Sequence, residues 1–170
     1  MYNPPDLNLS GYVVPMSVGR AGVQQTLKAM RRLVNESKKD LQIRSIALNC
    51  VYLHPQKIDC LECEQIYLFV RDNIRYVKDV LDVETLASPI TTLEIRQGDC
   101  DDKTCLLAAM LESIGYLTRF IIAGYSDTQN YEHVYLQVFC DGQWIDCDTT
   151  ENYYFGWCPP DPLIIAAEKV

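Results

Sequence analysis

The chain reads as an α+β domain, with helices through its first two thirds and a small antiparallel sheet after them. Three observations lead there. Apolar residues recur at spacings of three and four as far as Ile114. Beyond Gly115 the spacing becomes two. Asp141-Gly142 then separates two alternating runs, the signature of a two-residue hairpin turn.

The elements follow in order. Residues 1–19 carry Pro4, Pro5 and Pro15 and no sustained period, and are expected to form an extended arm. From Ala21 to about Lys39, Val23, Leu27, Met30 and Val34 make one apolar stripe and predict a helix. A second helix is expected from Leu41 to Tyr52, ending before His54-Pro55. A third runs from about Asp59 to Val77, with Asp59 as cap and Leu61, Ile66, Phe69, Val70 and Ile74 facing the core. Residues 78–98 look like a connection. A fourth helix follows it, with a wide face of Leu106, Leu107, Met110, Leu111 and Ile114, closed by Gly115. Strands are expected over Leu117 to Ala123, Tyr131 to Cys140 and Gln143 to Thr149, with a polar turn at 124–130. Residues 151–170 form an aromatic and proline-rich tail expected to pack on the 20–150 domain or on a partner.

Composition narrows the function classes. With 170 residues, 48% of them hydrophobic and 22% charged, the chain suits a single soluble globular domain. No apolar run approaches the roughly 20 residues of a membrane helix, and the start lacks the basic and apolar pattern of a secretory signal. A formal charge of -8 disfavours nucleic acid as partner; the basic run Lys28 to Arg32 is read as a solvated helix face. Eight cysteines without a signal are expected to be mostly buried thiols in a reducing, cytoplasmic setting rather than a disulfide framework.

One cysteine stands apart. Cys100, in Gly98-Asp99-Cys100-Asp101-Asp102, lies where loop becomes helix. Unpaired N–H groups and the helix dipole favour thiolate there, although the flanking aspartates oppose it. Its own N–H could help hold an oxyanion. Of the two histidines, His133 lies in a strand whose alternation sends Val134, Leu136 and Val138 to the core and His133, Tyr135 and Gln137 to the other face. With a two-residue turn at Asp141-Gly142, Cys140 pairs with Gln143 and Tyr135 with Asp148. Asp148 is then one diagonal step from His133, about 7–8 Å between backbones. A thiol, an imidazole and an orienting carboxylate follow, with Cys100 as nucleophile, His133 as base and Asp148 as orienter.

These residues resemble the transglutaminase-like superfamily. The matching pieces are Gly98-Asp99-Cys100 opening a helix, Gly115 followed by a strand, Glu132-His133-Val134, and Trp144 leading to Asp148-Thr149-Thr150. Asn73-Ile74-Arg75-Tyr76-Val77 is similar to the segment before the active site in bacterial and phage members, and Gly22 through Ala47 is similar to small phage- and prophage-encoded proteins. The resemblance covers about residues 60–150. It implies a papain-like fold and, without cofactor or metal, acyl transfer through a thioester on a protein or peptide amide: cleavage, deamidation or amide exchange. Thr149 stands where many members have proline. For a second oxyanion donor the candidates are Gln97 and Trp144.

Two other readings are kept. Cys50, His54, Cys60 and Cys63 are close enough in sequence for a zinc site, but the Cys60-Leu61-Glu62-Cys63 gap falls inside an expected helix rather than a knuckle turn. Alternatively the chain is a structural or docking component of a phage virion or similar assembly, with the cysteine set vestigial or used in maturation. Residues 1–19 and 151–170 would then contact other assembly proteins, and the setting would be the virion.

Overall fold

The computed structural model describes residues 11–13, 20–52, 58–78, 85–128 and 130–170. Its centre is a helix, Cys100–Ser113 (α5), buried on nearly every side. Around it pack Arg20–Ser37 (α1), Leu41–Val51 (α2), Asp59–Asn73 (α3) and Pro89–Ile95 (α4). On its remaining side lies a four-stranded antiparallel sheet of Leu117–Gly124 (β5), His133–Cys140 (β6), Gln143–Cys147 (β7) and Ile164–Lys169 (β8), in the order β7-β6-β5-β8. This is the α+β architecture expected from the sequence, with helices packed on a small antiparallel sheet.

The helices start where their chemistry predicts. Asp40 caps α2 by accepting from the N–H groups of Gln42 and Ile43. In α3 the cap position is Ile58, and Asp59 is the first helical residue, where its charge still suits the positive end of the dipole. The buried face of α3 also differs in phase from the expected one. Cys63, Ile66, Tyr67, Val70 and Ile74 are buried, while Leu61 and Phe69 are only half-buried. α5 ends at Ser113, and Gly115 follows with φ +103°, the left-handed step that glycine takes without strain.

The expected sheet register is present. Cys140 pairs with Gln143 and Phe139 with Trp144 across Asp141-Gly142, both with positive φ as in a type I′ turn. Val134, Leu136 and Val138 face the core. Tyr135, on the opposite face, is buried as well. Residues 151–163 bring the chain back toward the sheet, where the Gly156 N–H donates to Asp146 O at 2.9 Å and Phe155 packs on Tyr67.

Four features depart from the sequence expectations. The 78–98 connection holds structure in its described part: α4, capped by Ser88 with Pro89 at its start, and the short strands Thr85–Ala87 (β3) and Gln97–Gly98 (β4). β4 pairs in parallel with Arg75–Tyr76 (β2), which was expected to be the end of the third helix. β8 closes the sheet edge beside β5 and is held to α1 by the Arg31–Glu168 ion pair at 2.8 Å. Of the expected arm, only Gly11–Val13 (β1) lies within the described residues, and it pairs with β3. Cys60 and Cys140 are joined as a disulfide between α3 and β6, so the expectation of eight thiols gives way to six. No helix among the described residues is long and apolar enough to cross a membrane.

Candidate active site

The site forms where α5 starts against β6. Asp99 caps α5 by accepting from the Asp102 N–H at 3.1 Å. Gly98, just before it, leaves no room for a side chain, since a Cβ there would lie 2.6 Å from Asp102 Cβ. Asp102 is itself buried and accepts from the Ala87 N–H at 2.8 Å. The start of α5 is thus clamped between β4 and β3, and Thr104 ties it to β6 through Val134 O. Cys100 emerges from this clamp. Its sulfur lies 3.5 Å from Asp101 Oδ1. Burial pushes the thiol well above its ordinary value, Asp101 and Asp99 push it further, and a hydrogen bond with the Val134 backbone works in the opposite direction. Burial and the two aspartates thus favour the protonated thiol.

The other half of the site is ionised and ordered. His133 Nε2 donates to Asp148 Oδ2 at 2.7 Å. Asp148 is fully buried, and its Oδ1 accepts from the Thr150 N–H at 2.9 Å and hydroxyl at 2.6 Å. Burial alone would raise this carboxyl, but the His133 and Thr150 hydrogen bonds bring it below the usual carboxylate value. The Tyr67 hydroxyl on α3 reaches Asp148 O at 3.0 Å and pins the backbone. With Nε2 committed to Asp148, Nδ1 is the ring nitrogen left to exchange a proton.

Cys100 and His133 line one cavity of about 160 Å³, together with Asp99, Asp101, Val134 and Tyr131. A second cleft, of about 500 Å³, is lined by His133 together with Tyr76, Tyr125, Tyr153, Trp157 and Thr150. His133 therefore lines both the thiol cavity and an aromatic groove.

The remaining candidates fall elsewhere. The Gln97 side chain points to β2, where its Oε1 accepts from Arg75. Trp144 sits four strand positions from Asp148, about 13 Å along the chain, where it packs edge-on against Phe139 and under the Arg119 guanidinium. Neither side chain has a described contact with Cys100. The zinc reading fails on chemistry, because the Cys60 sulfur is bonded to Cys140 and Cys63 is buried in α3. His54 lies outside the described residues, and among those described no group of three His, Cys, Asp or Glu side chains could hold a metal.

Sequence reasoning missed three contributors. Thr150 and Tyr67 position Asp148, and Tyr76 on β2 faces the groove. Burial, Cys100 and Asp99, in that order, push the Tyr76 phenol up to about 12, which keeps its hydroxyl a hydrogen-bond donor. An Asp-Thr-Thr turn is a readable signal for Thr150. Tyr67 and Tyr76 depend on which helix face and which strand end meet the hairpin.

Comparison with known proteins agrees with this geometry. No curated protein matches the chain. Two solved structures share its fold at 13% identity: a protein from Cytophaga hutchinsonii provisionally named a cysteine protease (TM-score 0.52, covering 75% of this chain and 50% of that one), and one from Parabacteroides distasonis provisionally named a protease (TM-score 0.55, 79% and 30%). The chain thus spans at most half the length of these two. A family model described as the transglutaminase-like superfamily matches residues 53–149, from the end of α2 through β7 to the residue after Asp148, and this chain belongs to that superfamily.

Proposed function

We propose that this chain is a thiol enzyme acting on a protein or peptide amide, with Cys100 as nucleophile, His133 as base and Asp148 as the residue that orients the base. The single observation that carries the reading is the 2.7 Å His133–Asp148 hydrogen bond on the wall of the cavity that Cys100 shares. Asp148 takes one ring nitrogen, so the other is the group available to accept the thiol proton.

The cycle balances as follows. His133 Nδ1 removes the proton from Cys100 as the sulfur attacks the carbonyl carbon. The Cys100 N–H and the Tyr76 hydroxyl stabilise the oxyanion. The carbon–nitrogen bond breaks, the imidazolium proton passes to the departing amine, and the acyl group remains on sulfur as a thioester. Water or a second amine, deprotonated by the same nitrogen, then attacks the thioester and returns the free thiol. Because burial and the neighbouring aspartates favour the protonated thiol, proton transfer to His133 accompanies the attack.

Alkylation by iodoacetamide, read by peptide mass spectrometry across pH, tests this. Modification should concentrate on Cys100 and slow markedly in His133→Ala. Modification spread evenly over Cys50, Cys100 and Cys158, unaffected by His133→Ala, would overturn the reading and leave the structural role as the better account.

A further inference from the structure

Among the described residues, one buried cation has no carboxylate within ion-pair distance. Lys103 is 1% exposed and lies one turn after Cys100 on α5, on the same side of the helix. Its ammonium donates to the Ile74 carbonyl, the C-cap of α3. An ammonium has three N–H donors, and no described carboxylate forms an ion pair with this one. Keeping such a charge out of water is costly unless an anion meets it. Burial lowers Lys103 to about 8, while the Asp148 and Asp72 charges act in the opposite direction.

The ammonium does not face a closed core. It lies at the floor of a cleft of about 450 Å³ that also presents Arg71, Arg75 and Arg96, with Asp72 and Glu151 as the opposing charges. Asp72 is occupied, because it accepts both Nε and Nη2 of Arg71. Arg75 donates only to the neutral Gln97 side chain. Arg96, held at φ 54° where α4 ends, makes no ion pair with a described residue. Among the described residues that line the cleft, Lys103, Arg75 and Arg96 thus have Glu151 as the one carboxylate not already paired with an arginine, on a chain whose overall charge is -8. A local positive field inside an acidic protein selects anions by contrast with the rest of the surface. The cleft also adjoins the catalytic groove, since Tyr76, Thr150 and Glu151 belong to both.

We propose that this cleft is a carboxylate subsite: Lys103, Arg75 and Arg96 receive an acidic side chain of the peptide substrate, one or two residues from the acyl group that Cys100 takes up. The assignment of that neighbouring acyl group rests on the thiol-enzyme reading, whereas the binding of the carboxylate does not. Guanidinium groups suit it because they bind carboxylates with two parallel hydrogen bonds, and Lys103 supplies a fixed point charge beneath them.

The test is calorimetric binding of two end-blocked peptides, acetyl-Gly-Glu-Gly-amide and acetyl-Gly-Gln-Gly-amide, to the Cys100→Ala protein, which cannot turn over. The Glu peptide should bind about tenfold more tightly at low salt, and the preference should shrink as salt rises. The surface variants Arg75→Ala and Arg96→Ala together should bring the two affinities together, and Lys103→Met should do the same if it folds. Equal affinities in the parent, no binding of either peptide at millimolar concentration, or a Glu preference that survives the double arginine variant would each overturn the subsite. Selective Cys100 alkylation without a Glu preference removes the subsite alone. A Glu preference with unselective alkylation keeps the subsite and removes the enzyme reading.

Discussion

The two halves of the site are built on opposite principles. On the hairpin side, Asp148 is fully buried, accepts three hydrogen bonds from His133 and Thr150, and is held ionised by them. On the helix side, Cys100 sits beside Asp101 and Asp99, which together with burial keep its proton on. On the proposed reading, the base is organised in advance, whereas the nucleophile is released only when the base acts. A reactive thiolate is prone to oxidation and alkylation, and a protonated thiol is not. The arrangement keeps reactivity conditional on His133, so the comparison can be broken from either half.

The largest effect is expected on the hairpin side. Asp148→Asn should lower the acyl-transfer rate by about 10²–10⁴-fold while leaving the fold in place, since it frees the ring orientation and tautomer. Single-turnover kinetics with an activated ester would measure this, and a rate within a factor of two of the parent would end the claim that the pair organises the base. The helix side is next. Gly98→Ala should destabilise the protein by about 1–3 kcal/mol in urea denaturation, because the new methyl lands 2.6 Å from Asp102 Cβ, in a side chain anchored by the Ala87 N–H.

A third prediction uses pH. The folded-state value of Asp148 lies below the ordinary 3.8, so its stabilisation is present above that value and is lost as pH falls through the folded value. Acid denaturation of Asp148→Asn should lose this component below about pH 4, and an unchanged acid limb would contradict the ionised, hydrogen-bonded carboxylate. The smallest effect sharpens the contrast. Asp101→Asn removes the charge 3.5 Å from the sulfur and should speed Cys100 alkylation at neutral pH by a few-fold, about the factor expected for one partly screened charge. A slower reaction would mean that Asp101 activates the thiol instead of restraining it.

The contrast also explains what was legible in the chain. The His133–Asp148 relation could be read from sequence because a two-residue turn sets register, and register sets faces. Asp141-Gly142 adopts positive φ at both residues, and the pairing from Cys140–Gln143 to Leu136–Cys147 follows from it. Helices α1, α2 and α5 were readable from long periodic patterns. α4 was not, because seven residues span too few turns for a period to show, although Ser88-Pro89 marked its start. β8 was hidden because Ile164-Ile165-Ala166-Ala167 does not alternate in polarity; it is a strand because β5 offers an unpaired edge and Arg31 holds Glu168. The oxyanion candidates could be named but not chosen between for a related reason. Gln97 is near Cys100 along the chain and Trp144 near Asp148, but direction in space decides, and each also meets another partner, Gln97 Oε1 the Arg75 side chain and the Trp144 ring the Arg119 guanidinium.

Local chemistry along the chain was sufficient for the cap at Asp99, the turn at Asp141-Gly142 and the placing of His133 and Asp148 on one face, since each depends on neighbours a few residues away or across one hairpin. Packing alone decides the protonation of Cys100, the role of Tyr67 beneath Asp148, the bridge between Cys60 and Cys140, and the exposure of a buried Lys103 to a basic cleft. Those depend on which surfaces exclude water from which charges, and desolvation is a property of the assembled molecule.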